Sequence, residues 1–254
     1  MFFGRDADVA ELVERLRGEP LVVVAGDSGI GKSSVCHAGV APAITGGALA
    51  DRRRWRAIAL APGRRPWDRL RAALAVAGDP DDAALIEAVR PPDDAGTLIV
   101  VDQLEELVTV AAPAQAARCA QALAALADEV PGVKLVLAVR GDFLTRVAAL
   151  GALDRALTRG VHLLRVLPRA ELREAIVAPA RARGVAFATA AMVDALVDEA
   201  AAEPGALPLL QFALAALWER RDPARALITP AALAELGGVA GALARHADAV
   251  LREL

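Results

Sequence analysis

"LVVVAGDSGIGKSSV", residues 21–35, runs from branched apolar residues into a glycine-studded turn that ends in a lysine and two serines. Residues 21–25 suit a short β-strand covered on both faces, as in a parallel sheet. Gly26, Gly29 and Gly31 open backbone dihedrals closed to other residues, and a helix can begin near Lys32. In such a loop consecutive N–H groups point inward, and the positive end of the helix dipole faces the same space, so the cavity favours an anion. Within the stretch, "GDSGIGKS" at residues 26–33 fits the pattern G-x-x-x-x-G-K-[ST] with the strand before it and the helix after it that the pattern requires. The expected guest is the phosphate chain of a nucleotide. Lys32 is expected to bridge β- and γ-phosphate oxygens and Ser33 to coordinate Mg2+. The N–H groups of Gly29, Gly31, Lys32, Ser33 and Ser34 are expected to wrap the phosphates, with Ser28 and Ile30 completing the loop.

Outward from that stretch, apolar strand-like runs recur at "PLVVVA", "RAIALA", "GTLIVV", "VKLVLAV" and "GVHLLRV", separated by segments of helical period such as "DVAELVERL" and "AARCAQALAALADEV". Alternation of this kind requires crossover connections and predicts a five-stranded parallel sheet flanked by helices, an α/β fold. After about Pro168 the pattern turns wholly helical, in "RAELREAIVAPARARG", "TAAMVDALVDEAAAE", "PLLQFALAALWERR" and "TPAALAEL". Thr189 and Thr229 read as N-caps, the second followed by Pro230 at the first helical position, and Gly184 and Gly205 read as helix stops. The chain therefore divides into an α/β nucleotide-binding domain, residues 1–167, and a small all-helical domain, residues 168–254.

Composition narrows the function from the other side. With 254 residues, 56 % hydrophobic, 3 % aromatic and no tyrosine, the chain can bury a sizeable core built from alanine, leucine and valine. A net charge of -3 supplies no general attraction to nucleic acid or to an anionic membrane, and neither is expected as a partner. Only "DRRRWR", residues 51–56, is locally basic, and it reads as a solvated loop. No apolar run reaches transmembrane length and "MFFGRDADVAE" lacks the pattern of a signal peptide, so a soluble cytoplasmic protein is expected. Cys36 and Cys119 are too few and too far apart for a disulfide framework and read as reduced packing residues. His37, His162 and His246 show no metal-ligand spacing, which argues against zinc.

A phosphate loop needs a second strand that delivers a carboxylate to the metal. "GTLIVVDQLEEL" supplies one, with Asp102 at the strand's C-terminal edge. The plainer role for such a residue is capping the next helix. Gln103 stands where many ATPases carry the carboxylate that polarises water. Glu105 and Glu106, in the first turn after the strand, can take that part, although acidic residues there are also ordinary partners of the helix dipole. A third strand, "VKLVLAVRGDF", ends in Arg140 at the edge where ligands bind in such sheets. Arg140 can touch the γ-phosphate or form a salt bridge with Asp142 or a neighbouring helix.

Taken in order, "FFGRDADVAELVERL", "GDSGIGKSSV", "LIVVDQLEEL", "VLAVRGDFLTRV", "LPRAELREAIVAPAR", "EPGALPLLQFALAALWERR" and "LGGVAGALARHADAVL" resemble the STAND class of signal-transduction NTPases, in particular its bacterial novel STAND branch. The resemblance implies that the Arg140 strand lies between the phosphate-loop strand and the Asp102 strand. It implies that Phe3, Gly4 and Arg5 border adenine, that Arg140 is a sensor arginine, and that Pro208 in "GALPLL" packs on the base or ribose. Members of the class usually continue into a winged-helix domain and then a sensor or repeat array, so the resemblance implies winged-helix and sensor/effector domains as partners of this core. His246 in "ARHAD" is not equated with the winged-helix histidine of that class and reads as solvent-facing. Arg155 and Arg159 precede the last strand, where related AAA+ ATPases keep an inter-subunit arginine finger, but the STAND class generally lacks one.

The resemblance implies an ATP/ADP switch with slow hydrolysis, Mg2+ as cofactor and self-association in the ATP state. Three alternatives stand beside it. An ADP-held scaffold without turnover is kept open by Gln103 and is separated by phosphate release. An AAA+ motor on nucleic acid predicts a basic surface and a trans arginine. A small-molecule kinase predicts an Arg-rich lid, which the chain does not show.

Overall fold

A computed structural model of the protein describes residues 2–202 and 205–238. The final block singled out above lies outside the described residues from position 239 on, His246 included. The five apolar runs form β1 (Leu21–Gly26), β2 (Arg54–Leu60), β3 (Ala95–Val101), β4 (Val133–Arg140) and β5 (Val161–Leu163), and they make one sheet in the order β2-β3-β4-β1-β5. Every pairing in it is parallel. The strand ending in Arg140 thus lies between the phosphate-loop strand and the strand leading to Asp102, as the resemblance implies. The central strands are fully covered: Val22, Val24, Ile99, Val100, Leu135 and Leu137 are buried among the flanking helices, which is why they read as unbroken apolar runs.

The "DRRRWR" stretch corrects one expectation. It is not wholly loop, because Arg54, Trp55 and Arg56 open β2. β2 is an edge strand, so Trp55 turns into the protein while Arg54 and Arg56 face solvent. Charged side chains on an edge discourage pairing with another chain, and they also hide the strand from a search for apolar runs.

The described residues cluster into two compact units. One holds the sheet and its helices, Asp6–Asp27 and Lys32–Leu164. The other takes the described residues from Arg165 to position 238 together with residues 2–5 and 28–31. In this second unit, helices Arg169–Ala182, Ala190–Ala202, Leu207–Glu219 and Pro230–Leu236 pack a core that includes Leu172, Ile176, Leu196, Leu210 and Leu217. A two-residue parallel pair, β6 (Ala186–Phe187) with β7 (Leu227–Ile228), adds a short ribbon to the helices. Thr229 and Thr189 cap as read from sequence: their hydroxyl oxygens accept the N–H groups of Ala232 and Met192, each at 3.3 Å. Among the described residues no helix is long and apolar enough to cross a membrane. Cys36 and Cys119 are buried free thiols.

Candidate functional site

Parallel pairing brings the chemistry-bearing residues of the sheet unit to one edge. Gly26, the last residue of β1, is the register partner of Arg140, the last residue of β4, and Asp102 follows immediately on β3. Switch points at the carboxyl edge of an open parallel sheet are where ligands bind, because neighbouring loops leave in opposite directions there. Gly29 and Gly31 take φ values of 74° and 101°, which an L side chain rarely adopts, and a helical run starts at Lys32.

Lys32 is held back along its own loop. Its ammonium donates to the Gly26 carbonyl at 2.9 Å and to the Asp27 carbonyl at 2.7 Å. Partial burial pulls its pKa below the ordinary lysine value, an effect that the carboxylates of Glu105, Asp102 and Asp27 oppose. Both hydroxyl-bearing neighbours, Ser33 and Ser34, are exposed at the start of the helical run.

Asp102 presents a carboxylate held at both ends. One oxygen accepts the N–H of Gln103 at 2.9 Å, and the other faces Nε2 of His37 at 3.3 Å. Gln103 itself has φ of 55°, an uncommon conformation for a residue with a side chain, and the sharp turn there brings its N–H back onto Asp102. Glu105 and Glu106, adjacent in sequence, diverge. Glu105 accepts the Arg140 N–H at 3.2 Å, on the phosphate-loop side, whereas Glu106 accepts the Gly63 N–H at 2.6 Å, in the loop after β2. The Arg140 guanidinium makes the salt bridge named above as its alternative partner: it donates to both oxygens of Asp142, at 3.1 and 2.8 Å, and holds that carboxyl below the usual range. The pair lies at the surface, where water and salt weaken it, so it does not bar the guanidinium from a phosphate.

In the second unit the loop tip is braced. Arg5, almost fully buried, donates from its guanidinium to the Ile30 carbonyl at 2.8 Å. A Cβ on Gly29 would stand 2.9 Å from the Gly205 carbonyl oxygen, and one on Gly205 would stand 3.2 Å from that of Ser28. Two backbones therefore touch where neither tolerates a side chain. Gly4 is equally constrained, since a Cβ there would meet the Glu171 carbonyl at 2.6 Å. Pro208 lies in the first turn of Leu207–Glu219, the helix that follows Gly205. Phe3 walls a cavity of about 600 Å3 whose other sides include Ile176, Pro179, Phe187 and Trp218.

The sequence reading missed His37, and for Arg5 it missed the contact with the loop rather than the residue. His37 offered no ligand spacing of its own, and the available signal was its place four residues after Ser33, on the same helical face. Arg5 was assigned to the base by resemblance, and its bond to the phosphate loop has no local sequence signal. Ser33 and Asp102 are oxygen donors of the kind that suits Mg2+. Among the described residues no cluster of three or more His, Cys, Asp or Glu side chains is arranged to hold a metal ion unaided.

No curated protein matches the chain. Its fold is similar to that of Aeropyrum pernix ORC1, solved in complex with DNA, at 18% identity and a TM-score of 0.62, over 96% of this chain and 66% of that one. It is similar to the ADP form of Aeropyrum pernix ORC2, at 16% identity and a TM-score of 0.58, over 85% of this chain and 63% of that one. Drosophila ORC bound to DNA gives 17% identity and a TM-score of 0.58, over 93% and 62%. The chain thus spans at most 66% of the length of these structures, and at such identities the likeness concerns the fold. Residues 1–254 match Novel STAND NTPase 1 throughout, and the chain belongs to that family of nucleotide-binding P-loop NTPases.

Proposed function

We propose that the chain is an ATP/ADP switch that hydrolyses ATP slowly and couples its nucleotide state to domain rearrangement and assembly in a signalling or defence NTPase. The observation that carries this reading is the convergence of Lys32, Asp102, Glu105 and Arg140 on the carboxyl edge of β1, β3 and β4, with Glu105 bonded to the backbone of Arg140. Lys32 exchanges its two loop carbonyls for β- and γ-phosphate oxygens, while the N–H groups of residues 28–34 take the remaining phosphate charge. Ser33 and Asp102 would hold Mg2+, which would supply positive charge to offset that building on the phosphates. Glu105 keeps one carboxylate oxygen unengaged by the Arg140 N–H and accepts the proton of an attacking water. Arg140 leaves Asp142 for the γ-phosphate, which gives ATP and ADP different contacts, as any nucleotide switch requires. Phe3, Gly4, Arg5 and Pro208 are assigned to the adenosine end, with Arg5 acting through Ile30. Self-association belongs to the ATP state. The DNA in the ORC structures is a property of those proteins and is not carried over.

The test is a titration of ADP, ATP and GTP into the chain and its Lys32→Ala variant, with Mg2+ present. Adenine nucleotides are expected to bind in preference to GTP, and the variant is expected to lose that binding while melting as a folded protein. Unchanged affinity in the variant removes the basis of the proposal. Steady-state phosphate release then separates a slow ATPase from a chain that holds ADP without turnover.

A further inference from the structure

We propose that His37 is a positioning residue for the metal-binding carboxylate, holding Asp102 in the orientation in which it meets a divalent cation bound with the nucleotide phosphates. The inference rests on the reading of Asp102 as a metal ligand. An aspartate carboxylate has a broad, two-fold torsion about its terminal bond, so its plane is set by partners rather than by a rotamer well. Asp102 has partners at both oxygens: the Gln103 N–H at one and His37 Nε2 at the other. With Nε2 carrying the proton, the imidazole donates and the carboxylate accepts. Lys32, the nearest strong cation in the loop, does not take this part, because its ammonium is directed to the carbonyls of Gly26 and Asp27.

The backbone that carries His37 supports the assignment. Lys32–Ser34 is α-helical, but Val35–Val40 is a π-helix before the α-helix resumes at Ala41–Thr45. Runs with i→i+5 hydrogen bonds are rare, tend to be single turns, and collect at functional sites because they re-aim side chains without ending the helix. This run lies between Ser33, assigned above to Mg2+, and the resumed α-helix, with Val35, Cys36, Gly39 and Val40 buried and His37 exposed and bonded to Asp102. A histidine exposed to 40% contributes little to the core. Partners that orient metal-binding carboxylates are commonly worth 10–100-fold in metal affinity.

The experiment measures the dissociation constant of a fluorescent ADP analogue in EDTA and in Mg2+, and takes the ratio as the metal's contribution. His37→Ala is expected to lower that ratio about tenfold, and His37→Gln, whose amide N–H reaches a similar position, to restore most of it. A wild-type ratio in His37→Ala overturns the proposal. So does a His37→Gln variant that loses as much as alanine, since the effect would then belong to the ring's bulk rather than to its N–H. Asp102→Asn serves as the separating control. If it binds the analogue yet leaves the ratio unchanged, the metal-ligand reading fails, and the role of His37 falls with it.

Discussion

Lysine accounts for only two of the chain's 29 Lys and Arg side chains, at positions 32 and 134, and arginine supplies the other 27. At residue 32 the difference matters: an ammonium is a compact point charge that fits among loop carbonyls and phosphate oxygens, whereas a guanidinium is a wide planar fork. Burial lowers the pKa of both amines, Lys134 while donating to the Glu19 carbonyl at 3.0 Å. Phosphate beside Lys32 would favour its charged form again. Binding above the lowered Lys32 value therefore takes up a proton, and nucleotide affinity is expected to fall as pH rises through that value. Lysine-selective acylation followed by peptide mass mapping checks the contact directly. Saturating Mg-ADP is expected to protect Lys32 about tenfold or more and to leave Lys134 unprotected, so equal labelling with and without nucleotide would contradict the assignment. Lys32 and Asp102 are legible in sequence because each sits inside a short pattern that folds locally. The contacts of His37 and Arg5 are not, because their partners Asp102 and Ile30 lie 65 and 25 residues away and no spacing rule connects them.

At the scale of an element, the four-residue helix Glu106–Thr109 decides which glutamate can act. Leu104 and Leu107 are buried on one side and fix its rotation, so Glu105 falls beside Arg140 and Glu106 beside Gly63. Sequence alone shows that neighbours on a helix project about 100° apart and that one of the two must turn away. It does not show which. Glu105→Gln is expected to lower single-turnover ATP hydrolysis by about 100-fold or more with ATP affinity retained. Glu106→Gln is expected to be nearly silent, because an amide oxygen can still accept the Gly63 N–H. A silent Glu105→Gln would move the role of ordering water to Gln103. The start of β2 and the π-helical turn after Lys32 escape sequence reading for related reasons: an edge strand needs only one apolar face, and π-helical hydrogen bonding leaves no periodic signature in six residues.

At the scale of the molecule, the alternation of apolar and helical segments predicts a parallel sheet with crossover connections, whereas the place of the Arg140 strand between the phosphate-loop strand and the Asp102 strand is what the family resemblance implies. A contiguous reading cannot show that residues 2–5 and 28–31 cluster with the described residues from 165 to 238. Those links are close backbone approaches such as Gly29 to Gly205, made by residues with no side chain to declare them. The two thiols provide a way to ask whether the sheet unit opens as one body. Cys36 and Cys119 are both inaccessible, and burial pushes each thiol up to about 12, so at neutral pH neither is expected to react with a thiol reagent until the structure around it opens. Cys36 lies four residues beyond Lys32, and an opening that exposes it disturbs the phosphate loop. Nucleotide at about 100 times its dissociation constant stabilises the bound form by about 2.7 kcal/mol, which slows any opening that destroys the site by about 100-fold. Cys36 labelling is expected to slow by that factor. Cys119, on the helix Pro113–Glu129 against the other side of the core, slows equally only if the unit opens cooperatively, and slows less if that helix lifts by itself. Rapid labelling of Cys36 in the absence of denaturant, unaffected by nucleotide, would show that the loop and the helical run behind it are not the ligand-bearing element.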